Sequence, residues 1–365
     1  DGTVLPASVA TGLDFTFNSV NVGKGANSVS NNTALGENAL DDAVTGDNNT
    51  AIGKNALTAN TSGYDNVAVG LDALKANTTG NENVAIGKVS LDANTTGTRN
   101  VGVGKYTLST NTTGGSNTAV GDQALFASTT ASNNTAVGKF ALKLNTTGAN
   151  NVAVGSAALD ANTTGQSLTA LGMQALSANT TASNNTGVGT NALLVNTSGA
   201  NNTACGVGTL SANTTASNNS AFGYNALDQN TTGSLNVAIG SLALDANTTG
   251  SQLTAIGYQS LSANTTASFN TGIGDHTLKL NTTGSQNIAI GTNCLDANTT
   301  GNYNVSIGVN SLTTNTTASN NTAVGTDALK LNETGSNNTA VGANTLDANS
   351  TADNNIAVGY SALGA

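Results

Sequence analysis

The chain has 365 residues and a net charge of -10, and only 8% of its residues are charged. Its ten Lys and Arg residues are scattered along the sequence, so we expect no nucleic-acid partner. No apolar run is long enough to span a membrane, so we expect no membrane insertion. The low charge does not indicate disorder, because apolar residues recur at a strict interval.

The N-terminal segment, residues 1–31, precedes a repeat of 17 residues that fills the rest of the chain. This segment is predicted to be a cap or adaptor strand with one short coil, since Gly23 lies 13 residues before the first regular glycine, Gly36. Within it, LDFTFNSV at 13–20 alternates apolar and polar residues like an edge strand. Residues 32–365 are predicted to form the repeat domain.

The repeat is anchored by a glycine that recurs in 20 places, from Gly36 and Gly53 to Gly359, without an insertion or deletion. We number the positions of each repeat relative to this glycine, which is position 0. Repeats of constant length are typical of solenoids, in which each repeat stacks on the next. Short β-branched segments bounded by Gly, Asn and Thr indicate strands and turns. The sequence therefore predicts an all-β fold, a parallel β-solenoid with about twenty coils of 17 residues.

The first strand of each coil is predicted at positions -3 to -1. These positions hold no charged residue in any of the 20 repeats, and position -3 is Thr or Ser 12 times and Val or Ile eight times. Because only one face of a strand can face the core, the other face must form an uncharged strip. An exposed apolar surface of this extent is typical of an interaction site. We therefore expect another subunit or a different partner to cover it.

A second strand is predicted at positions +3 to +6. Position +4 is Leu in all 20 repeats, and alternation along the strand points it into the core, together with the residue at +6. Position +5, which carries charges such as Asp92 and Lys143, is expected to face water. The predicted core ladder includes Leu57, Leu142, Leu227 and Leu312.

The segment that follows, NTTG or NTTAS, is predicted to be a turn, in which Gly at +10 supplies a positive φ. Position +7 is Asn in 17 of 19 repeats, and stacked Asn amides can hydrogen-bond along a sheet. Because position +9 is Ser or Thr, the same residues form sequons, and N-glycosylation is the alternative. The residues predicted for this ladder, or for glycosylation, are Asn60, Asn77, Asn94, Asn145, Asn162, Asn179, Asn213 and Asn247.

The last repeat ends six residues after Gly359, before a full coil is complete. Solenoids need capped ends, so this end favours head-to-tail stacking into a filament or, equally, a longer parent protein. The two cysteines, Cys205 and Cys294, are interpreted as small core residues. They lie too many coils apart for a disulfide.

Several segments resemble known repeats. NSVNVGKGA at 18–26, NVAIG at 83–87 and NVSIG at 304–308 resemble the head repeats of trimeric autotransporter adhesins. The longer NTAVGxxALxxNTTGxxN form is similar to repeats of bacterial surface proteins and phage tail-fibre-like proteins. The resemblance covers residues 18–363 and implies a left-handed β-roll, three chains side by side and attachment to surfaces. The repeat differs from the adhesin form by its added NTT turn, and the sequence has no coiled-coil stalk and no membrane anchor.

The sequence offers no pattern of residues for catalysis. His276 is the only histidine, and it lies at the variable position +2, where we expect it to be solvated. The aspartates at +5 are interpreted as a solvated face, and the Gly-Gly-x-Gly-x-Asp turns of calcium-binding rolls do not occur. We therefore expect no enzyme activity, no metal and no cofactor.

The sequence predicts a non-enzymatic structural protein that is extracellular or lies at the cell surface. In this hypothesis a solenoid rod self-associates, as a trimer or a head-to-tail filament, and forms or extends a fibre or an adhesin shaft. Surface glycans or a host surface are further expected partners. The alternative is an ice-binding (antifreeze) protein that uses a flat Thr-rich face, although the Thr residues at +8 and +9 do not form the Thr-x-Thr pairs of a flat strand.

Overall fold

The computed structural model describes residues 15–42 and 44–364. The chain divides into two compact units, residues 1–183 and residues 184–365. Each unit consists of short strands, one for each repeat, that are joined by turns. Residues 1–14 of the predicted N-terminal segment lie outside the described residues.

The strands are only three or four residues long, because Gly at position 0 and the polar turns bound each apolar segment. Those of the first unit are β1 (Phe15–Phe17), β2 (Val20–Gly23), β3 (Thr33–Gly36), β4 (Thr50–Ile52), β5 (Val67–Val69), β6 (Val84–Ile86), β7 (Val101–Val103), β8 (Thr118–Val120), β9 (Thr135–Val137), β10 (Val152–Val154) and β11 (Thr169–Leu171). The unit also contains a short 3-10 turn, Ala26–Ser28.

The strands of the second unit occupy the same position in each repeat. They are β12 (Thr186–Val188), β13 (Thr203–Cys205), β14 (Ser220–Phe222), β15 (Val237–Ile239), β16 (Thr254–Ile256), β17 (Thr271–Ile273), β18 (Ile288–Ile290), β19 (Val305–Ile307), β20 (Thr322–Val324), β21 (Thr339–Val341) and β22 (Ile356–Val358).

Successive strands pair in parallel and in register, from β3 to β11 in the first unit and from β12 to β22 in the second. Each residue lies opposite the one 17 positions later, as Thr50 lies opposite Val67 and Ala51 opposite Ala68. The predicted all-β fold, a parallel β-solenoid with coils of 17 residues, is confirmed in both units.

The N-terminal end of the first unit is antiparallel. Strand β1 pairs antiparallel with β2, and β2 pairs antiparallel with β3. Strands β1 and β2 therefore form an antiparallel hairpin that pairs with β3, the strand of the first coil, and the prediction of one short coil around Gly23 is wrong. A hairpin covers the edge of a stack without continuing its parallel register.

The second predicted strand does not form. Positions +3 to +6 are turns, because the backbone is left-handed at +2 and +4, as at Asn55 (φ 56°) and Leu57 (φ 52°). Two left-handed residues so close together break the alternation of a strand, and the side chains at +3 and +4 both point inward. The positive φ predicted for Gly at +10 is also wrong, since the left-handed positions are -5, 0, +2 and +4.

The glycine at position 0 is required by the close approach of neighbouring coils. Gly53 has a φ of +130°, and a Cβ placed on it would lie 2.5 Å from the carbonyl oxygen of Gly70. A larger residue would therefore be strained in its backbone and would push the next coil away.

The core of each coil contains few apolar atoms. Six positions point inward, -4, -2, +3, +4, +7 and +10, and in one coil they are Asn49, Ala51, Ala56, Leu57, Asn60 and Gly63. The leucine at +4 is the only large apolar side chain among them, and its burial stabilises each coil by about 1.5–3 kcal/mol. The four leucines predicted for the core ladder, Leu57, Leu142, Leu227 and Leu312, are fully buried.

Gly replaces Ala at -2 where hydroxyl groups occupy the core. A Cβ on Gly102 would lie 2.6 Å from Oγ of Ser90 and 2.9 Å from Oγ1 of Thr107. These two hydroxyls are hydrogen-bonded to each other at 2.8 Å, and Ser90 donates to the carbonyl oxygen of Gly102 at 3.1 Å. The same arrangement recurs around Gly272, so the glycine has the same packing cause at both sites.

We expect Gly102→Ala to destabilise the protein by about 1–3 kcal/mol, because the new methyl group overlaps the two hydroxyls. The triple variant Gly102→Ala, Ser90→Ala, Thr107→Ala should recover most of this loss, because it recreates the all-alanine packing of Ala124, Ala136 and Ala141. Denaturant unfolding of the parent, the single variant and the triple variant measures both effects. A single variant as stable as the parent would contradict the packing described here.

Candidate functional site: the exposed strand face

The strands of both units direct positions -3 and -1 outward and position -2 inward. In β4, for example, Thr50 is half-buried, Ala51 is buried and Ile52 is exposed. We call the outward side chains at -3 and -1 of β3–β11 the strand face of the first unit, and those of β12–β22 the strand face of the second unit. The uncharged strip that the sequence predicts lies on this face.

The larger apolar side chains of the strands lie on the strand face and not in the core. At position -1, twelve of them are between 36% and 43% exposed: Leu35, Ile52, Ile86, Val120, Val154, Leu171, Phe222, Ile239, Ile273, Ile290, Ile307 and Val341. Cys205 is also exposed here, so the prediction that it is a core residue is wrong, whereas Cys294 is buried. The column of side chains at position -1 thus exposes apolar area on successive strands of each unit.

Charged residues flank the strand face of the first unit at positions -5 and +1. These residues are Asp65, Glu82 and Arg99 at -5, and Glu37, Lys54, Lys88, Lys105, Asp122 and Lys139 at +1. Some of them pair along the stack, since Lys54 lies 3.0 Å from Glu37 and Arg99 lies 3.0 Å from Glu82. The hydrogen bond from Arg99 to Glu82 raises the pKa of the guanidinium group above its usual range. In the described part of the second unit, Asp275 is the only charged residue at either position.

The asparagines predicted at +7 hold the coils together from inside. Asn77 donates one amide hydrogen to Oδ1 of Asn60 at 2.9 Å and the other to the carbonyl oxygen of Gly80 at 2.9 Å. The eight residues named from the sequence, Asn60, Asn77, Asn94, Asn145, Asn162, Asn179, Asn213 and Asn247, are all fully buried and all donate to the carbonyl at +10. A glycosylated amide must project into solvent, so the folded coil leaves no place for a sugar at these positions.

A second asparagine ladder lies at position -4, and the sequence analysis missed it. The backbone N–H of Asn66 donates to Oδ1 of Asn49 at 3.1 Å, and its side-chain amide donates to the carbonyl oxygen of Gly80 at 2.9 Å. That carbonyl also accepts from Asn77, so both ladders converge on position +10 of each coil. The signal was present, since -4 is Asn in 18 of 20 repeats. Leu168 and Leu253 interrupt this ladder.

The +7 ladder of the first unit is interrupted at Ser128. Without an amide at this position, Oδ1 of Asn111 and Oγ of Ser128 are buried and have no hydrogen-bond partner. A buried polar atom without a partner costs about 1–3 kcal/mol. The other residue at +7 that is not Asn, Ala43, lies outside the described residues.

We expect Ser128→Asn to stabilise the protein by about 1–3 kcal/mol, because the new amide can donate to Asn111 and accept from Asn145. Residues 128–134 would then have the sequence NTTASNN, which is also the sequence of residues 179–185. The opposite variant, Asn77→Ser, should destabilise by a similar amount, because it leaves Oδ1 of Asn60 without a donor. Thermal unfolding of both variants tests the ladder, and equal midpoints for Ser128→Asn and the parent would count against it.

The aspartates at +5 are not the fully solvated face that the sequence suggests. Burial raises the pKa of Asp92 to about 6, and nearby Asp72 adds a smaller rise. Burial is also the main cause of the raised pKa values of Asp160, Asp245 and Asp296. In Asp92, Asp245 and Asp296, Oδ1 is buried and has no hydrogen-bond partner.

The pKa of Asp92 is about 6 in the native state and has its ordinary value of 3.8 in the unfolded state. Between these two values the native state therefore binds more protons than the unfolded state. This aspartate therefore lowers the stability as the pH rises towards about 6, and the loss remains above that pH. We expect Asp92→Asn to stabilise the protein at about pH 7 and to have little effect at about pH 4. Unfolding measured across this range checks the prediction, with Asp65→Asn, a change at an exposed carboxylate, as the control. A gain of equal size at both pH values would contradict it.

Other chemistry at the surface is sparse in the parts of the chain that the structure describes. Nδ1 of His276 lies 3.1 Å from a carboxylate oxygen of Asp275, and its ring meets the edge of the Tyr258 ring at 5.3 Å. Within residues 15–42 and 44–364, no group of three or more His, Cys, Asp or Glu side chains could hold a metal ion. No helix in these residues is long and apolar enough to cross a membrane.

The fold and its exposed face define a repeat protein of the β-solenoid class. Searches against protein-family models, curated proteins and solved structures found no match.

Proposed function

We propose that this chain is a non-enzymatic structural protein outside the cell, which self-associates through its strand face and extends a fibre or an adhesin shaft. The observation that carries the proposal is the strand face itself, where uncharged side chains point outward, half-buried or exposed, on every coil strand of each unit. Ordinary monomers rarely leave continuous apolar surface of this kind in water. A second copy of the chain presents the same repeat and so offers a surface of matching periodicity.

The charges beside the strand face of the first unit support a parallel arrangement of copies. The charges just before the strands are mostly acidic, since Asp47, Asp65 and Glu82 stand against Arg99. Those just after the strands are mostly basic, since Lys54, Lys88, Lys105 and Lys139 stand against Glu37 and Asp122. When copies stand side by side in the same direction around a common axis, the edge that precedes the strands of one copy meets the edge that follows the strands of the next copy. Opposite charges then face each other, and this complementarity selects the register.

The resemblance to adhesin head repeats supports a location at the cell surface and a group of three chains. Head-to-tail stacking is the other mode of self-association and does not use the strand face. Electron micrographs distinguish the two modes, because stacking gives continuous filaments of one chain in width.

Charges introduced into the strand face should prevent lateral association. We expect the variant Val120→Glu, Val154→Glu to sediment as a monomer at a concentration at which the parent protein is oligomeric, because an interface would bury the new carboxylates without partners. Leu144→Glu is a matched control, since Leu144 is 47% exposed but lies outside the strand face. It should leave the oligomer intact. A parent protein that sediments as a stable monomer would overturn the proposal.

Ice binding is a second candidate. The strand face favours it, because Thr or Ser at -3 of 12 coil strands lies beside mostly aliphatic residues at -1, on strands about 4.8 Å apart. The Thr residues at +8 do not favour it, since hydroxyls such as that of Thr78 donate to the carbonyl oxygen of the next coil, here Thr95, at 3.0 Å. Thermal hysteresis of a dilute solution tests this candidate, and its absence would remove it.

A further inference from the structure

Large apolar side chains border the strand face of the second unit in an alternating pattern. Tyr224 follows β14, Leu235 precedes β15, Tyr258 follows β16 and Phe269 precedes β17. Their exposed fractions are 56%, 53%, 47% and 55%. Successive strands therefore carry an exposed apolar group first at position +1 and then at position -5. Phe222, 41% exposed, lies between these borders at position -1 of β14.

The spacing of these groups is set by the parallel stack. Tyr224 and Tyr258 belong to strands that lie two places apart in the sheet, and strands are about 4.8 Å apart, so the two positions are separated by about 9.6 Å. Leu235 and Phe269 are separated in the same way. Tyr303, which precedes β19 and is 57% exposed, continues the series at the same interval after Phe269.

Three aromatic side chains of the first unit, Tyr106, Phe126 and Phe140, are covered in comparison. Nζ of Lys105 lies 4.8 Å from the centre of the Tyr106 ring, and the Tyr106 ring meets the edge of Phe126 at 6.4 Å. Lys139 and Lys143 both lie 4.6 Å from the Phe140 ring.

The aromatic side chains that border the second strand face are much less covered. Among the described residues, their only ring contact joins Tyr258 to His276. The second unit thus combines exposed aromatic rings with a surface on which Asp275 is the only charged residue at the bordering positions.

Exposed aromatic rings at a regular interval on an uncharged surface match the chemistry of flat sugar chains. The faces of sugar rings in β-1,4-linked polysaccharides present C–H groups, which carry partial positive charge and stack on the negative faces of aromatic rings. Such chains form extended ribbons that present the same ring face at every second sugar. The interval of two strands is comparable to this repeat, and the Thr hydroxyls at position -3 can hydrogen-bond to sugar hydroxyls.

We propose that the strand face of the second unit, with its aromatic borders, binds a neutral, flat β-1,4-linked polysaccharide such as cellulose or chitin. This proposal names the surface to which the protein attaches, and it rests on the adhesive part of the proposed function. A charged polysaccharide fits less well, because this surface offers almost no charge. Self-association then uses the strand face of the first unit, and a second copy of the chain is the competing occupant of the face of the second unit.

The test is the depletion of the full-length protein from solution by insoluble cellulose and, separately, by insoluble chitin. We expect the parent protein to bind at least one of them, and to remain bound in high salt because stacking does not depend on charge. Insoluble amylose, whose α-linked chains coil instead of forming ribbons, should bind much less. Binding to both or to only one of the flat polysaccharides identifies which sugar the surface recognises.

Substitutions of the aromatic residues show whether the strand face of the second unit is responsible for polysaccharide binding. The variant Tyr224→Ala, Tyr258→Ala should bind about tenfold more weakly, the usual scale for the loss of an aromatic anchor. Tyr224→Phe, Tyr258→Phe should bind like the parent, because the ring and not the hydroxyl carries the stacking. Tyr106→Ala is the control in the first unit. Circular dichroism verifies that each variant retains the fold.

Sedimentation of the same proteins separates the competing outcomes. If the parent binds neither polysaccharide, or if the double alanine variant binds as well as the parent, the proposal is overturned. If the alanine variant instead loses its oligomeric state and the parent shows no sugar binding, the face is a subunit interface and only the self-association stands. A monomeric parent that binds cellulose or chitin through Tyr224 and Tyr258 would support this inference and overturn the self-association.

Discussion

The buried asparagine amides are the constraint on which the rest of this structure depends. Wherever both positions are Asn, as in most coils, the amides at -4 and +7 donate to one carbonyl at +10. Asn66 and Asn77 donate to Gly80 in this way, and both also bond to the coil before. A residue inserted between them would move one amide away from its partners and leave it unpaired in the core, at a cost of about 1–3 kcal/mol. This penalty explains why the length of the repeat never varies.

A core built on amides leaves little space for apolar side chains. Most coils bury one leucine, at +4, and the coils of Leu168 and Leu253 bury a second one at -4. Nearly all the remaining inward positions hold Ala, Gly, Asn or small hydroxyl residues. The branched residues of the strands, such as Ile52 and Ile86, therefore point outward. In the isolated chain these side chains gain only part of the free energy that full burial would provide. An interface would supply the remainder, so the polar core and the proposed self-association have one cause.

The repeat length, the parallel stack, the inward leucine and the uncharged strip could be predicted from the sequence, because each depends only on periodicity and side-chain polarity. The second strand could not, because Leu57 adopts a left-handed φ that leucine rarely takes. Asn48 and Asn55 at neighbouring left-handed positions were the available signal, since Asn tolerates this conformation. The ladder at -4 and the aromatic borders could not be predicted either, because their prediction requires knowledge of which positions point inward and which point outward.

Inward and outward positions are under different physical constraints, and this difference indicates where function is encoded. A change at an inward position such as Asn77 breaks hydrogen bonds to the coil before it and within its own coil. A change at an outward position such as Tyr224 alters only the surface. The two units therefore share nearly identical interiors but can differ freely at -5 and +1. The charges of the first unit and the aromatic rings of the second are differences that the fold does not require, and the contacts proposed for each face account for them.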